Sequence, residues 1–306
     1  MPGASIVIPT YNEAADIAET LDALMASDEA PLEVIVVDAS DDPTPEIVGR
    51  YPSPPVRLIR HARGGGRTAQ RNEGIRAARG EIVVILNADV RLPPDFVRRI
   101  LAHYAEGADY VLVESRVANL ESATARYVQA LHERDYPPGP DTEARMTWTE
   151  GFSCRREAAL AVGLFPEAAV PMVAGEDGWF GDRLTAAGYR KVFDRTIVVT
   201  HVAPPHLGGF WRQRCDRGRG WPQVLSERYG RSLESIVWTL ARVACWRGLD
   251  LLLPVGSLRR GWRLAMHSPR RRADWLTFAA LDWVASGATL WGMWAGVREL
   301  RSAGAR

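Results

Sequence analysis

The sequence has few cysteines, a single lysine and almost no net charge. Its three cysteines, Cys154, Cys215 and Cys245, lie far apart and form no CxxC or Cys/His metal pattern. This spacing favours reduced thiols in a cytosolic compartment over a disulfide framework. The formal net charge of +1 at pH 7 gives no whole-chain reason to expect a nucleic-acid partner. The near absence of lysine is interpreted as genome composition, because arginine supplies the other basic residues.

Two common motifs are also missing. The N-terminus lacks the basic region, apolar core and small-residue cleavage site of a signal peptide. We therefore expect the catalytic part of the chain to work in the cytoplasm. The glycine run Gly64–Gly66 does not have the GxGxxG spacing and follows no strand closely, which argues against a dinucleotide site.

The first half of the sequence alternates between two hydrophobic periodicities. Short apolar runs typical of buried strands are separated by segments with helical spacing. The predicted strands are Ser5–Pro9, Leu32–Asp38, Val56–Arg60 and Glu81–Asn87, and the predicted helices are Ala14–Ser27, Thr44–Tyr51 and Arg67–Arg79. This pattern predicts an α/β fold with a mostly parallel central sheet covered by helices on both faces.

Polar side chains follow three of these strands. Thr10–Glu13 come after the first, Asp38 ends the second, and Asn87 and Asp89 follow the fourth. Because ligands bind at the carboxyl ends of parallel strands, we expect these side chains to converge on one site.

Four motifs occur in order along the chain. They read "SIVIPTYNEA", "VIVVDASDD", "GRTAQRNEGIRAARGEIVVILNADV" and "GEDGWFGDRLTAAGY". Together they resemble the inverting family 2 glycosyltransferases of the GT-A fold, of the membrane-associated bacterial type. The resemblance implies a nucleotide-diphosphate sugar as donor, a divalent metal (Mg²⁺ or Mn²⁺) as cofactor, and direct displacement at the anomeric carbon. It predicts a catalytic GT-A domain over residues 1–222 and a helical, membrane-associating region over residues 223–306.

The resemblance also assigns donor-binding residues. These are Pro9, Thr10, Tyr11, Glu13, Asp38, Arg67, Arg71, Asn87, Ala88 and Asp89. Asp38 is expected to accept a hydrogen bond from the base, or alternatively to cap the turn before Ser40. Arg67 and Arg71 are one helical turn apart and are expected to face the diphosphate, or alternatively solvent.

The segment Asn87-Ala88-Asp89 aligns with the DxD motif of the family, with an amide in place of the first acid. We expect Asn87 to contact ribose and Asp89 to bind the metal, because carboxylate oxygen is a better ligand for hard cations than amide oxygen. A histidine in the position of His201 joins the metal shell in some relatives. The alternative is a structural hydrogen bond at the end of a strand.

Glu176 and Asp177 resemble the ED motif of the family. Asp177 is predicted to be the general base that removes the acceptor hydroxyl proton, and Glu176 to orient the acceptor. Alternatively, both are acids that stabilise the first turn of a helix. Trp179 stands where relatives often have a further acid.

A basic segment, "FWRQRCDRGRGW", follows a further predicted strand, "TIVVTHV". By resemblance, Gln213, Arg214, Arg217 and Trp221 are predicted to form an acceptor or diphosphate loop. The alternative is an amphipathic surface that faces lipid phosphates.

Nine of the eleven tryptophans lie at or after Trp211, interleaved with arginines. The stretch Trp275–Val297 is long enough to span a bilayer, although Asp282 lies inside it. Three interpretations are open: a soluble helical cap, helices in the plane of the membrane interface, and a spanning helix. We expect peripheral association with an anionic membrane surface on the cytoplasmic side, with a hydrophobic spanning helix as the alternative.

The sequence therefore predicts a glycosyltransferase of hexosyltransferase type that modifies a hydroxyl acceptor, lipid-linked or membrane-proximal, in polysaccharide or glycolipid biosynthesis. Two alternatives are a nucleotidyltransferase on a related α/β fold and a catalytically degenerate scaffold that binds nucleotide sugars. The sequence leaves the sugar, the nucleotide, the acceptor and the oligomeric state open.

Overall fold

The computed structural model describes residues 3–140, 148–168 and 170–304. The strands are β1 (Ala4–Thr10), β2 (Glu33–Asp38), β3 (Val56–Arg60), β4 (Ile82–Ile85), β5 (Val90–Arg91), β6 (Tyr110–Val117), β7 (Phe152–Arg155) and β8 (Lys191–His201). The α-helices are α1 (Ile17–Met25), α2 (Thr44–Val48), α3 (Gly66–Ala77), α4 (Phe96–Ala105), α5 (Ala123–Asp135), α6 (Arg156–Ala161), α7 (Glu176–Ala186), α8 (Leu207–Glu227), α9 (Leu233–Leu252), α10 (Val255–Ala265) and α11 (Trp275–Ser302). The predicted strands and helices of the first half are confirmed, with ends that shift by a few residues.

The chain divides into two compact units. The first unit comprises Met1–Arg116, Glu143–Glu167 and Glu176–His201, and the second comprises Val117–Thr142, Ala168–Gly175 and Val202–Arg306. The boundary predicted after residue 222 falls inside α8, which belongs to the second unit as a whole. The assignment of residues 1–222 to a catalytic domain stays a prediction.

The first unit is built on an eight-stranded sheet with the order β3-β2-β1-β4-β7-β6-β8-β5. Strands β3, β2, β1 and β4 run parallel, whereas β7 is antiparallel to both β4 and β6, and β5 is antiparallel to β8. The expectation of a mostly parallel sheet is therefore wrong, and the sheet is mixed. A continuous apolar run is typical of a strand buried on both faces, but it does not encode the direction of the neighbouring strand.

Alternate residues of the parallel strands face two separate cores. Ile6 and Ile8 of β1 pack in one apolar cluster, and Val7 packs in the other. Helices α1 and α4 contribute to the first cluster, and α3 and α7 to the second. Because both faces of the sheet are covered, the carboxyl ends of its parallel strands are the expected place for a ligand to bind. At this edge β1 ends beside β2, with Thr10 paired with Asp38.

Helix α3 lies unusually close to the sheet. A side chain at Gly74 would collide with Val7 of β1, so the glycine permits this approach. The close packing fixes the rest of α3, including Arg71 one turn earlier, beside the end of the sheet.

The second unit is helical in its described residues. Helix α11 packs along α8, and side chains at Gly292 and Gly296 would collide with the backbone of Cys215 and Arg219 on α8. Phe210 of α8 and Phe278 of α11 both pack edge-on against Tyr127 of α5. The small-residue face of α11 is therefore used for close helix packing within the unit.

The spanning alternative for Trp275–Val297 is not supported. Among the residues that the structure describes, no helix is both long and apolar enough to cross a membrane. Asp282, the charge inside this stretch, accepts hydrogen bonds from Arg260 at 2.8 Å and from the Tyr127 hydroxyl at 3.3 Å. The periodicity of α11 thus reflects packing against α5, α8 and α10.

Candidate active site

Arg71 is the centre of the candidate site. Its side chain is fully buried on α3, where Nη1 donates to Glu176 Oε1 at 3.0 Å and to Asp177 Oδ1 at 2.9 Å. Nη2 donates to Thr149 Oγ1 at 2.8 Å and, more weakly, to Asn87 Oδ1 at 3.5 Å. We call these five residues the Arg71 cluster. The cluster brings together two predicted motifs that are far apart in sequence. These are the pair Glu176-Asp177 and the segment Asn87-Ala88-Asp89.

This arrangement differs from the predicted role of Arg71 as a ligand of the diphosphate. Both terminal nitrogens already bind side chains of the cluster, and the guanidinium lies 5.2 Å from the centre of the Phe165 ring. Arg67, one turn earlier, is exposed, and its charge lowers the pKa values of both acids. Arg67 therefore lies close enough to Glu176 and Asp177 for its charge to affect both acids, and the contact of either arginine with a diphosphate stays a prediction.

The two acids of the cluster differ in their electrostatics. Burial raises the pKa of Asp177 to about 7, and repulsion from Glu176 adds to this shift against the attraction of Arg71. Burial also penalises the charged form of Glu176, but Arg71 and then Arg67 outweigh it and lower the pKa of that carboxyl. Glu176 is therefore the acid whose ionised form Arg71 stabilises, whereas Asp177 has a pKa close to neutral pH.

Accessibility separates the same two acids. The side chain of Asp177 is 24% exposed and that of Glu176 only 3%. Both stand in the first turn of α7, where backbone N–H groups favour negative charge. Of the two side chains, only that of Asp177 is partly open to solvent.

Thr149 and Glu150 were missed by sequence reasoning. The Thr149 hydroxyl donates to Asp177 Oδ2 at 3.3 Å, and Glu150 accepts from Asn87 Nδ2 at 3.4 Å. Glu150 also raises the pKa values of Asp89 and Asp177. The only signal in the sequence is a pair of polar residues shortly before β7, which does not distinguish them from an ordinary loop.

Asp38 is entirely buried at the end of β2. Its carboxylate accepts from the hydroxyls of Thr10 at 2.7 Å and Ser40 at 2.6 Å, from the Ser40 N–H, and from Arg60. These bonds match the turn-capping alternative. A contact between Asp38 and a base stays a prediction, since it requires one of these bonds to be exchanged.

The other residues predicted after β1 differ in exposure. Pro9 and Thr10 are buried in the strand, whereas the Tyr11 ring is exposed and available as a flat face. The pKa of Glu13 is raised to about 7, first by burial and then by the charge of Asp89. The structure thus brings Glu13 near Asp89, although their donor-binding roles stay predictions.

Asp89 lies next to His201 because of the strand pairing. Strands β5 and β8 run antiparallel with Val90 opposite His201. Burial raises the pKa of Asp89, His201 opposes the shift, and Glu150 adds to it. His201 Nδ1 lies 3.2 Å from the Ser115 hydroxyl, the alternative role predicted for a histidine at a strand end, and this contact leaves Nε2 for another partner. The backbone carbonyl of Ala88 accepts from Thr20, which holds the segment in place.

A metal bound here needs ligands from the substrate. Within the described parts of the chain, no cluster of three His, Cys, Asp or Glu side chains is arranged to hold an ion. Asp89 and His201 fit an ion such as Mg²⁺ or Mn²⁺, which is commonly held by one or two protein ligands together with substrate phosphates. Asp89 repels Glu13 and is itself repelled by Glu150, and this excess of negative charge also favours a cation in the region.

The predicted acceptor or diphosphate residues lie on α8 of the second unit. Arg214 is buried over the Phe210 ring and donates to Gln213 Oε1 at 2.6 Å. Burial, with repulsion from Arg217, lowers the Arg214 pKa to about 9. Trp221 and Arg217 are exposed. A helix thus stands where a loop was predicted, and the contact of these residues with a substrate stays a prediction.

Sequence comparison places the chain in a known family. The Glycosyl transferase family 2 model matches residues 5–165, which is more than half of the chain. The succinoglycan biosynthesis protein ExoO of Rhizobium meliloti (strain 1021) is 35% identical over 128 residues, which cover 41% of this chain but only 37% of the relative. The glycosyltransferase AglE of Haloferax volcanii is 27% identical over 289 residues, or 91% of this chain and 89% of the relative.

Solved structures share the fold. The mannosyltransferase PcManGT from Pyrobaculum calidifontis, in complex with GDP-Man and Mn²⁺, has a TM-score of 0.62 at 24% identity and covers 95% of this chain and 87% of its own. TarS residues 1–349 from S. aureus, in complex with UDP-GlcNAc, has a TM-score of 0.53 at 17% identity and covers 99% and 92%. The mixed sheet flanked by helices is thus a GT-A fold, and the family match argues against the nucleotidyltransferase alternative. This chain belongs to glycosyl transferase family 2 and is a glycosyltransferase.

Proposed function

We propose that the protein transfers a sugar from a nucleotide-diphosphate donor to an acceptor hydroxyl, with inversion at the anomeric carbon and Asp177 as general base. The observation that carries the proposal is the state of Asp177 in the Arg71 cluster. It is the accessible acid of a buried pair, and its pKa is raised to about 7. A base with this pKa is ionised in part at neutral pH and still basic enough to accept a proton.

This geometry supports the proposed reaction. The acceptor oxygen attacks the anomeric carbon from the side opposite the nucleotide, and its proton passes to a carboxylate oxygen of Asp177. Arg71 and the Thr149 hydroxyl hold that carboxylate in place. Glu176 stays ionised and orients Arg71, so the positive charge of Arg71 does not prevent Asp177 from acting as a base. The bond to the nucleotide diphosphate breaks as the new glycosidic bond forms.

The donor is proposed to bind at the carboxyl edge of β1, β2 and β4. Tyr11 offers an aromatic face for the base, and Asn87 is placed to exchange its two long hydrogen bonds for a ribose hydroxyl. Asp89 and His201 would hold a divalent cation, which when bound offsets the negative charge of the leaving diphosphate. Proteins of similar fold are solved in complex with GDP-Man and Mn²⁺ or with UDP-GlcNAc. These complexes support the proposal of a nucleotide-sugar donor and of a divalent cation.

The acceptor is proposed to be a polysaccharide or glycolipid precursor that is lipid-linked or held near the membrane. The similarity to a succinoglycan biosynthesis protein supports a glycan product. We place the enzyme at the cytoplasmic face of the membrane, bound peripherally by its tryptophan- and arginine-rich C-terminal helices.

The test starts from the purified full-length chain. A thermal-shift screen of nucleotide sugars identifies the donor, since a ligand that binds the folded state raises the melting temperature. Transfer is then measured with Mn²⁺ or Mg²⁺ and with EDTA, and the anomeric configuration of the product is read by NMR. We expect inverted product and activity that EDTA removes and metal restores. Retained configuration, or turnover unchanged by EDTA, contradicts the mechanism, and tight donor binding without turnover for any acceptor supports the scaffold alternative.

A further inference from the structure

Helix α9 carries an exposed apolar face. Trp238, Arg242, Trp246, Leu249 and Leu252 follow one another at three- and four-residue steps, so they project from one side of the helix. Trp246 is 75% exposed and Leu252 is 79% exposed. The opposite side is buried, with Ile236 and Leu240 in an apolar cluster of the second unit. Large side chains on the outer face therefore do not serve the core.

The apolar face continues beyond the end of α9. The junction Leu253-Pro254-Val255 is exposed, and α10 presents Leu258 and Trp262 outward. Trp283 of α11 is also exposed, and its indole N–H donates to the Leu251 carbonyl at 3.2 Å. This hydrogen bond joins α11 to the end of α9, and α10 begins directly after the exposed junction. We call the exposed residues Trp238, Trp246, Leu249, Leu252, Trp262 and Trp283 the tryptophan surface.

Close packing between α10 and α11 fixes which sides of these helices face outward. Gly261 of α10 lies against the backbone of Ala279 so closely that a side chain would collide with it. Arg260 of α10 is bound by Asp282 of α11 at 2.8 Å. The outward orientation of the surface is thus set by packing on the other side.

Among the described side chains around the tryptophan surface, the exposed charges have one sign. Among the side chains that the structure describes between residues 238 and 298, the exposed charged groups are arginines: Arg242, Arg259, Arg263, Arg270, Arg271, Arg272 and Arg298. The acids Asp274 and Asp282 are turned inward, where Arg126 and Arg260 bind them. The Arg272 guanidinium lies 5.6 Å from the centre of the Trp262 ring, so basic and aromatic groups share one surface.

We propose that the tryptophan surface docks on a lipid bilayer that contains anionic lipids, with α9 and α10 lying in the plane of the interface. Tryptophan side chains favour the boundary between headgroups and acyl chains, and arginines bind the lipid phosphates. A second copy of the chain fits this surface less well, because face-to-face pairing would bring arginines against arginines. The inference deepens the proposed membrane-proximal acceptor, since docking brings the enzyme to a lipid-linked substrate.

The experiment is sedimentation of the full-length protein with phosphatidylcholine vesicles, with and without phosphatidylglycerol, at low and high salt. We expect binding to the anionic vesicles that weakens as salt rises. Leu252→Asp and Trp246→Ser should each lower the fraction bound about tenfold or more, because each removes a large apolar contact. The triple change Arg270→Ser, Arg271→Ser and Arg272→Ser should weaken the preference for anionic lipid. The matched control is Leu160→Asp, an exposed leucine on α6 of the first unit, which should bind as the unchanged protein does.

Each other outcome overturns part or all of the inference. Failure to bind anionic vesicles at low salt overturns it, and unchanged binding by both apolar variants overturns the assigned surface. A dimer in analytical ultracentrifugation that Leu252→Asp abolishes, without vesicle binding, assigns the surface to a second copy instead. Donor hydrolysis without vesicles is measured for every variant and should stay unchanged. If the unchanged protein binds vesicles but shows neither transfer nor hydrolysis, the proposed function fails and the docking surface stands.

Discussion

Arg71 in the first unit and Arg126 in the second are both buried arginines, but their acidic partners differ. Arg126 binds both oxygens of Asp274 at 2.8 Å, and its remaining nitrogen donates to the carbonyls of Leu120 and Glu121. Arg71 shares one nitrogen between two carboxylates, Glu176 and Asp177. The first arrangement balances charge one to one, and the second leaves one negative charge in excess.

The difference appears in the protonation of the acids. Burial opposes ionisation of Asp274, but hydrogen bonds from Arg126 and Ser268 outweigh it and lower the pKa. Asp177 has the same kind of partner, yet burial and Glu176 raise its pKa to about 7. Removing one partner of a buried ion pair is strongly destabilising, whereas a strongly raised carboxyl pKa is typical of groups that transfer protons. The following changes test whether these two sites differ as described.

The largest effect is expected for Asp177→Asn. Loss of the general base should lower kcat by about 10²- to 10⁴-fold, measured with the identified donor and acceptor. The thermal midpoint should not fall, because the change removes repulsion with Glu176. Turnover equal to that of the unchanged protein contradicts the base assignment.

Asp274→Asn should lower stability and leave turnover nearly unchanged, the reverse of Asp177→Asn. It leaves the buried charge of Arg126 without its counter-ion, which typically costs about 3–5 kcal/mol of unfolding free energy, measured by urea denaturation. Turnover per folded molecule should stay near that of the unchanged protein. A stable variant with lost activity would place a catalytic role in the second unit and remove the contrast.

The pH dependence of kcat/KM should show the state of Asp177. The base must be ionised, so activity is expected to fall about tenfold per pH unit below about 7 and to level off above it. Arg71→Met should move this limb to higher pH, because Arg71 lowers the pKa of Asp177. Glu13 also has a pKa of about 7, so Glu13→Gln is the control and should keep the limb. If Glu13→Gln removes the acidic limb of the pH profile, that limb reports the ionisation of Glu13 and not that of Asp177.

The raised pKa of Asp177 also affects how the free energy of unfolding depends on pH. Asp177 binds its proton more tightly in the folded chain, since its pKa is raised from an ordinary value of about 3.9. Asp177 therefore makes its full contribution to the free energy of unfolding at a pH below its ordinary pKa. This contribution is lost as the pH rises through the folded-state pKa of about 7. Asp274, whose pKa is lowered, contributes stability above the ordinary value and loses it on acidification.

The smallest effect is expected for Asn87→Asp, which restores an acid at the first position of the DxD motif. The added carboxylate should lower the metal concentration for half-maximal activity by up to about tenfold, measured by Mn²⁺ titration. Asn87→Ser, which adds no charge, is the matched control. Equal metal requirements in all three proteins would show that residue 87 does not influence the metal.

Several features of the fold and site were predictable from residues close in sequence. Apolar runs identified β1, β2, β3 and β4, and the polar residues after them identified the edge of the sheet that carries the site. The direction of β7 was not predictable, because a strand buried on both faces has the same pattern in either direction. The interpretation of α11 as a span was equally limited, since small and apolar residues suit a bilayer and a close helix contact alike.

The sequence by itself indicated the family and the α/β core, and it predicted the acids Asp89, Glu176 and Asp177 as site residues. Local periodicity and short motifs are enough for these, because each depends on residues within one strand, turn or helix. Only the tertiary structure decided that Arg71 binds the acid pair, that Thr149 and Glu150 bond to residues of the Arg71 cluster, and that Asp282 is paired with Arg260. These partners are brought together by packing over long sequence separations, and whether a buried charge is balanced depends on every group packed around it.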